Sequence, residues 1–275
     1  MSWLLQPLQY DFMVRGLLAS AMVGILCAVM GTYVVLRGMA FLGDAMAHAI
    51  LPGVAISFLL HGNLLVGALI AALVVALSIG FFARGGVVRE DTAIGILFAA
   101  ALSLGVALIS SIQTYAVDLS HILFGNVLGV SVSDVWLTVG LTLLVLAVVG
   151  LLFKPFMVVS FDPILATTLR IPANFLRNLM LVLLALTVVV SLQTVGVGLA
   201  AAMLVTPAAT AYLLARRLWP MMLISACIGA FSSLVGLYAS YYLNIVSGSA
   251  IVLTATLIFL VVFLFHPRRG VVLKK

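Results

Sequence analysis

Nine stretches of the chain are apolar almost without interruption: residues 13–36, 44–61, 64–83, 92–115, 135–153, 175–194, 197–215, 218–241 and 248–266. A hydrocarbon core about 30 Å thick is crossed by roughly 20 apolar residues in a helix. The stretches lack the alternation of apolar and polar positions that marks a barrel strand. Backbone groups in lipid must also be satisfied within the segment, so the pattern predicts helices. The second stretch is the weakest. It is short, it carries Asp44, His48 and Pro52, and Gly43, Pro52 and Gly53 punctuate it. If it crosses fully there are nine spans and the N-terminus lies outside. If it is broken or re-entrant there are eight, both termini lie inside, and Asp44 and His48 sit in the outward half. The punctuation favours eight. No connection leaves room for a soluble domain, so residues 1–275 read as a single all-α transmembrane domain, a polytopic bundle of eight to nine helices.

Composition supports this picture and removes a rival. The chain is 65% hydrophobic and 7% charged, with a mean hydropathy of +1.39; soluble chains run nearer 25% charged. The net charge of +6 first suggests nucleic acid, but its placement is ordered. Arg84 and Arg89 lie in one connection, Lys154, Arg170 and Arg177 in another, Arg216 and Arg217 in a third, and Arg268, Arg269, Lys274 and Lys275 close the chain. The connections at 116–134, 195–196 and 242–247 hold no Lys or Arg. Cytoplasmic connections are the ones enriched in Lys and Arg, so the charge reports topology and no nucleic-acid partner is expected. The start, MSWLLQPLQYDFMVRG, lacks the basic region and small-residue cleavage site of a signal peptide. Cys27 and Cys227 lie in apolar runs, where packing is the default role.

Candidate chemistry concentrates in "GDAMAHAILPG", residues 43–53. Asp44 is the one acidic residue inside a proposed span. An aspartate at a span centre costs about 2.5–3.5 kcal/mol on insertion scales, so it faces an interior, a partner or a water-filled path. Positions i and i+4 share a helix face, so Asp44 and His48 point the same way. A carboxylate oxygen and an imidazole nitrogen suit a divalent first-row cation. Two ligands make an incomplete site, and two copies of the chain at a symmetry axis would supply four. The plainer alternative pairs Asp44 with Arg37 and leaves His48 bonded to a carbonyl. His61 and His266 lie at segment ends, and His121 lies in an outward connection. Glu90 and Asp91 open a helix, where the dipole favours them. Pro207 falls in mid-span and implies a kink. In "SFDPILATTLRIP", residues 160–172, Asp162 or Ser160 can cap a short helix with Pro163 in its first turn, and Pro172 stops it.

These motifs converge on one family. The chain resembles, over almost its whole length, the permease subunits of bacterial manganese/zinc/iron-uptake ABC transporters (the ABC-3 family). The likeness rests on "VVLRGMAFLGDAMAHAILPGVAISFLL", "EDTAIGILFAAALSLGVALIS", "SHILFGNVLGVS", "SFDPILATTLRIP", "LTVVVSLQTVGVGLAAAMLVTPAATAYLLARRL" and "GLYASYYLNIVSGSAIVL". It implies a type II-like importer permease in the bacterial plasma membrane that is not itself an enzyme. Asp44 and His48 would lie on the path of transported Mn²⁺ or Zn²⁺, with Fe²⁺ a further candidate. No cofactor would be held permanently. The implied partners are a cytosolic ATPase that binds ATP, an extracytoplasmic metal-binding protein, a second permease copy and the surrounding lipids. The family's coupling helix falls on about Phe161–Ile171, so Phe161, Asp162, Pro163, Ala166 and Arg170 would meet the ATPase. Relatives commonly carry Gly where Arg170 stands, so the left-handed terminator expected there is missing. The chain has no GxxxxGK[ST] loop and no HExxH. The first agrees with a separate ATPase, and the second argues against an intramembrane metalloenzyme. An ion-coupled secondary transporter is the alternative reading, weakened by the lack of a second broken, charged segment.

Overall fold

A computed structural model describes residues 6–84, 88–111 and 127–265. His121, His266 and the four basic residues at the C-terminus lie outside the described residues. The bundle is helical throughout the described residues. We number the helices α1 (Asp11–Leu36), α2 (Phe41–Ala49), α3 (Leu51–Leu59), α4 (Leu64–Phe82), α5 (Glu90–Ser110), α6 (Val132–Leu151), α7 (Phe153–Phe161), α8 (Pro163–Thr168), α9 (Ala173–Val195), α10 (Val197–Leu214), α11 (Leu218–Leu243) and α12 (Ser247–Phe265).

Helix α1 is the centre of the fold. Of its most apolar stretch, 72% is buried, against 22% for α5, α6 and α12. It packs on α11, α10, α9 and α6. Small residues allow the closest approach: a methyl placed on Gly24 would lie 2.7 Å from the Gly229 carbonyl oxygen, and one on Gly31 would overlap the backbone of Leu204. Lipid gives helices little hydrophobic reason to associate, so close packing and interhelical hydrogen bonds supply the adhesion. Ser225 donates to the Ala28 carbonyl at 2.9 Å, and Cys27 lies 3.1 Å from the Ser191 hydroxyl. Cys27 is thus a packing residue, as expected. Tyr33 meets Phe156 edge-on at 5.8 Å, tying α1 to α7.

The second apolar stretch departs from expectation. Helices α2 and α3 run on through Ile50, which keeps helical torsions (φ −73, ψ −27). Together they form a 19-residue segment, Phe41–Leu59, long enough to cross. Pro52 cannot donate to the His48 carbonyl, so it loosens the helix there without ending it. Eight described helical segments are long and apolar enough to span, and Leu199–Leu214 is a shorter apolar helix. Counting that shorter helix as a crossing, eight plus one gives nine.

An ion pair fixes the sides. Arg37, just after α1, donates to Glu90 at the start of α5 at 2.7 Å. Glu90 follows the Arg84–Arg89 connection directly, so the turn after α1 lies on the same basic, cytoplasmic face. The start of α1 therefore lies outside. What is corrected is the broken or re-entrant reading of 44–61: Phe41–Leu59 is one of the eight described segments long enough to span. Asp44 and His48 accordingly lie about 5 and 10 Å along the axis from the Phe41 start of their helix at 1.5 Å per residue, toward the end that the Arg37–Glu90 pair marks.

This topology is tested by impermeant maleimide labelling of intact cells. A cysteine replacing the exposed Gln9, in a Cys227→Ser background, is expected to react from outside. Labelling only after permeabilisation would restore the eight-span arrangement.

Candidate metal path and coupling segment

The helical spacing brings Asp44 and His48 together as foreseen. His48 Nε2 lies 3.6 Å from Asp44 Oδ1. That is too long for a hydrogen bond and suited to a shared ion. A cation about 2.1 Å from both atoms would see them at about 118°. The side chains retain 43% (Asp44) and 31% (His48) of their accessible surface, although two thirds of their helical segment is buried. The pair therefore opens onto a face that the described residues leave partly uncovered. Behind it, Phe98 on α5 meets the imidazole at 5.6 Å and Phe41 at 5.2 Å, both edge-on. His48 Nδ1 is buried and has no hydrogen-bond partner. No third His, Cys, Asp or Glu joins the pair among the described residues.

The alternative role for Asp44 does not survive. Arg37 is engaged by Glu90, and burial pushes the guanidinium below its ordinary pKa while Glu90 opposes that shift. Among the described residues, Asp44 is paired with His48 alone. Glu90 is likewise more than a dipole-favoured first-turn residue. The sequence held one hint: an arginine between two apolar runs needs a counter-charge if it is buried.

At the cytoplasmic end of the bundle, α7 gives way to α8. Asp162 caps α8, its Oδ1 accepting from the amides of Ile164 and Leu165 at 2.9 Å each, and Pro163 opens the first turn. Ala166 is fully buried, while Phe161, Ile164 and Leu169 are 61%, 78% and 56% exposed. Arg170 resolves the missing-glycine question by adopting the left-handed conformation itself, at φ 55. The Ile171 amide donates to the Ala166 carbonyl at 2.9 Å and the Arg170 amide to Thr167 at 3.0 Å. That pairing is a complete Schellman ending, so the helix terminator is intact without glycine.

The family profile described as the ABC 3 transport family matches residues 9–266. The chain belongs to that family. Among relatives of this ABC-3 chain, the manganese transport system membrane protein MntC of Halalkalibacterium halodurans is 45% identical, over 97% of this chain and 91% of that protein. The manganese import system permease protein ScaB of Streptococcus parasanguinis is 44% identical, over 95% and 93%. Among solved structures, PsaBC from Streptococcus pneumoniae in complex with Fab superposes with a TM-score of 0.86 at 40% identity, covering 98% of this chain and 96% of that one. An inward-facing metal-chelate type ABC transporter superposes at 0.71 with 16% identity, over 91% and 85%, a likeness of fold alone. With its apolar helices, this ABC-3 chain is a multi-pass protein of the bacterial plasma membrane.

Two outcomes test these assignments. Glu90→Gln leaves Arg37 buried without a counter-charge and is expected to cost about 3 kcal/mol, read as lowered thermal stability in detergent. Combining Arg37→Met with Glu90→Leu should recover most of it. Separately, Arg170→Val strains the left-handed position and should speed hydrogen exchange at the Ile171 amide about tenfold, given a cost of about 1–2 kcal/mol. Arg170→Gly should not.

Proposed function

We propose that this chain is the membrane-spanning permease subunit of an ATP-driven importer of divalent transition metals, with manganese the first candidate and iron and zinc the next. The observation that carries the reading is the open Asp44–His48 pair: two donors 3.6 Å apart on a surface the chain leaves uncovered. The names of its relatives support the choice of metal. They include manganese permeases and, at 38% identity, a probable iron transport system membrane protein of Haemophilus influenzae.

On this reading the site is completed by a second copy of the chain. Two carboxylates then balance one divalent cation, and two imidazoles complete a four-donor set. An extracytoplasmic metal-binding protein delivers the ion from outside. The ion reaches the pair after passing the outer part of the membrane, so the pair is the last protein station before the cytoplasm.

The exposed apolar residues around the Asp162 cap suit a protein partner. Phe161, Asp162, Pro163, Ala166 and Arg170 form the segment through which a cytosolic ATPase drives the helices. ATP is bound and hydrolysed on that partner, and this chain catalyses no reaction.

The test is metal uptake by cells that express the chain with its ATPase and binding protein. Asp44→Asn and His48→Ala, at equal membrane abundance, are expected to lower Mn²⁺ uptake by more than about tenfold, since loss of even an outer partner of a metal ligand costs about 10–100-fold. Undiminished uptake by both variants would remove the pair from the path.

A further inference from the structure

Two adjoining cavities lie at the cytoplasmic ends of α4 and α9. The larger, about 710 Å³, is lined by Arg84, Arg170, Asn174, Phe175 and Asn178 together with the turn between α8 and α9. The smaller, about 480 Å³, is lined by Leu77, Ser78, Phe81 and Phe82, and it shares Arg84 and Asn178 with the first. The two are therefore limbs of one groove with a basic mouth and an apolar extension.

The mouth is electrostatically prepared for an anion. Neither Arg84 nor Arg170 has an acidic partner among the described residues. The terminal carbonyls of α4 would normally repel negative charge. Here they are engaged by a third cation, as Arg177 donates to Gly80 at 3.0 Å and approaches Ala83 at 3.4 Å. The apolar limb runs from this mouth back toward the bilayer. Leu77 and Phe81 are one turn apart on a single face of α4, 49% and 67% exposed. A free phosphate would use only the mouth. A molecule with an anionic head and a hydrocarbon tail matches both limbs, and basic pockets between helices on the cytoplasmic side bind lipid headgroups.

We propose that this groove is a binding site for an anionic phospholipid of the cytoplasmic leaflet. Its phosphate sits between Arg84 and Arg170, and one acyl chain lies along Leu77, Phe81 and Phe82. The bound lipid bridges the end of α4 to the turn that terminates α8, so its occupancy steadies the segment proposed to meet the ATPase. The lipid site itself does not depend on that assignment.

Native mass spectrometry of the full chain in mild detergent tests the site, with equal amounts of palmitoyl-oleoyl phosphatidylglycerol and phosphatidylcholine added. The phosphatidylglycerol adduct is expected to be retained preferentially. Arg84→Gln, on an exposed residue, should weaken it about fivefold, the effect of about 1 kcal/mol per basic residue near a membrane surface. Ser78→Trp, which fills the apolar limb and leaves both arginines, should also deplete it. Millimolar inorganic phosphate should leave it in place. Equal retention of the two lipids, or unchanged retention by Arg84→Gln, would overturn the proposal. Displacement by phosphate would make the mouth a soluble-anion site instead. Displacement by the purified ATPase subunit would make the groove a protein contact.

Discussion

The contact between Arg37 and Glu90 organises much of what can be said about this chain. A charge removed from water is tolerated only when it is closely matched, and here the two members lie on one face, separated in sequence by two spans. Their meeting brings the end of α1 to the start of α5 and so assigns a side to every later helix. It also absorbs the one arginine near Asp44. The carboxylate on α2 is thereby left to its histidine neighbour, and a pair that the sequence leaves ambiguous acquires a chemical character. One ion pair thus bears on topology, depth and function together.

Around that anchor the bundle is graded. The central helix is enclosed by its neighbours, with glycines where backbones touch and hydroxyls reaching across to carbonyls. Helices α5, α6 and α12 turn most of their surface outward. In a membrane such faces meet lipid or another subunit. The half-open Asp44–His48 pair, backed by Phe98 from α5, belongs to this outward zone.

Much of this was legible in the residues. The apolar runs 92–115 and 218–241 became Glu90–Ser110 and Leu218–Leu243, because an uninterrupted apolar run in lipid has few alternatives to a helix. The Asp162–Pro163 start of α8 was readable because capping is local chemistry. The errors came where a distant partner decides. Pro52 read as a break because local rules cannot see the packing of Gly53 against Gly67, which holds this stretch of helix against α4. Glu90 read as a dipole residue because its arginine lies 53 positions away. Arg170 read as an obstacle to helix termination, yet two backbone hydrogen bonds hold it left-handed. The proximity of Asp44 and His48 was visible as spacing, and the removal of the competing arginine was visible only in three dimensions.

Gly196 joins α9 to α10 as a single residue, at φ 85 and ψ 168, a conformation essentially confined to glycine. A joint of one residue has almost no slack. Helix α9 is 23 residues long, a rod of about 34 Å, rooted beside α8 on the cytoplasmic face. A tilt of that rod about its root would move the start of α10 with it, because the joint has no length to absorb the displacement. Any change in the angle between α9 and α10 therefore falls on the two torsions of one residue without a side chain.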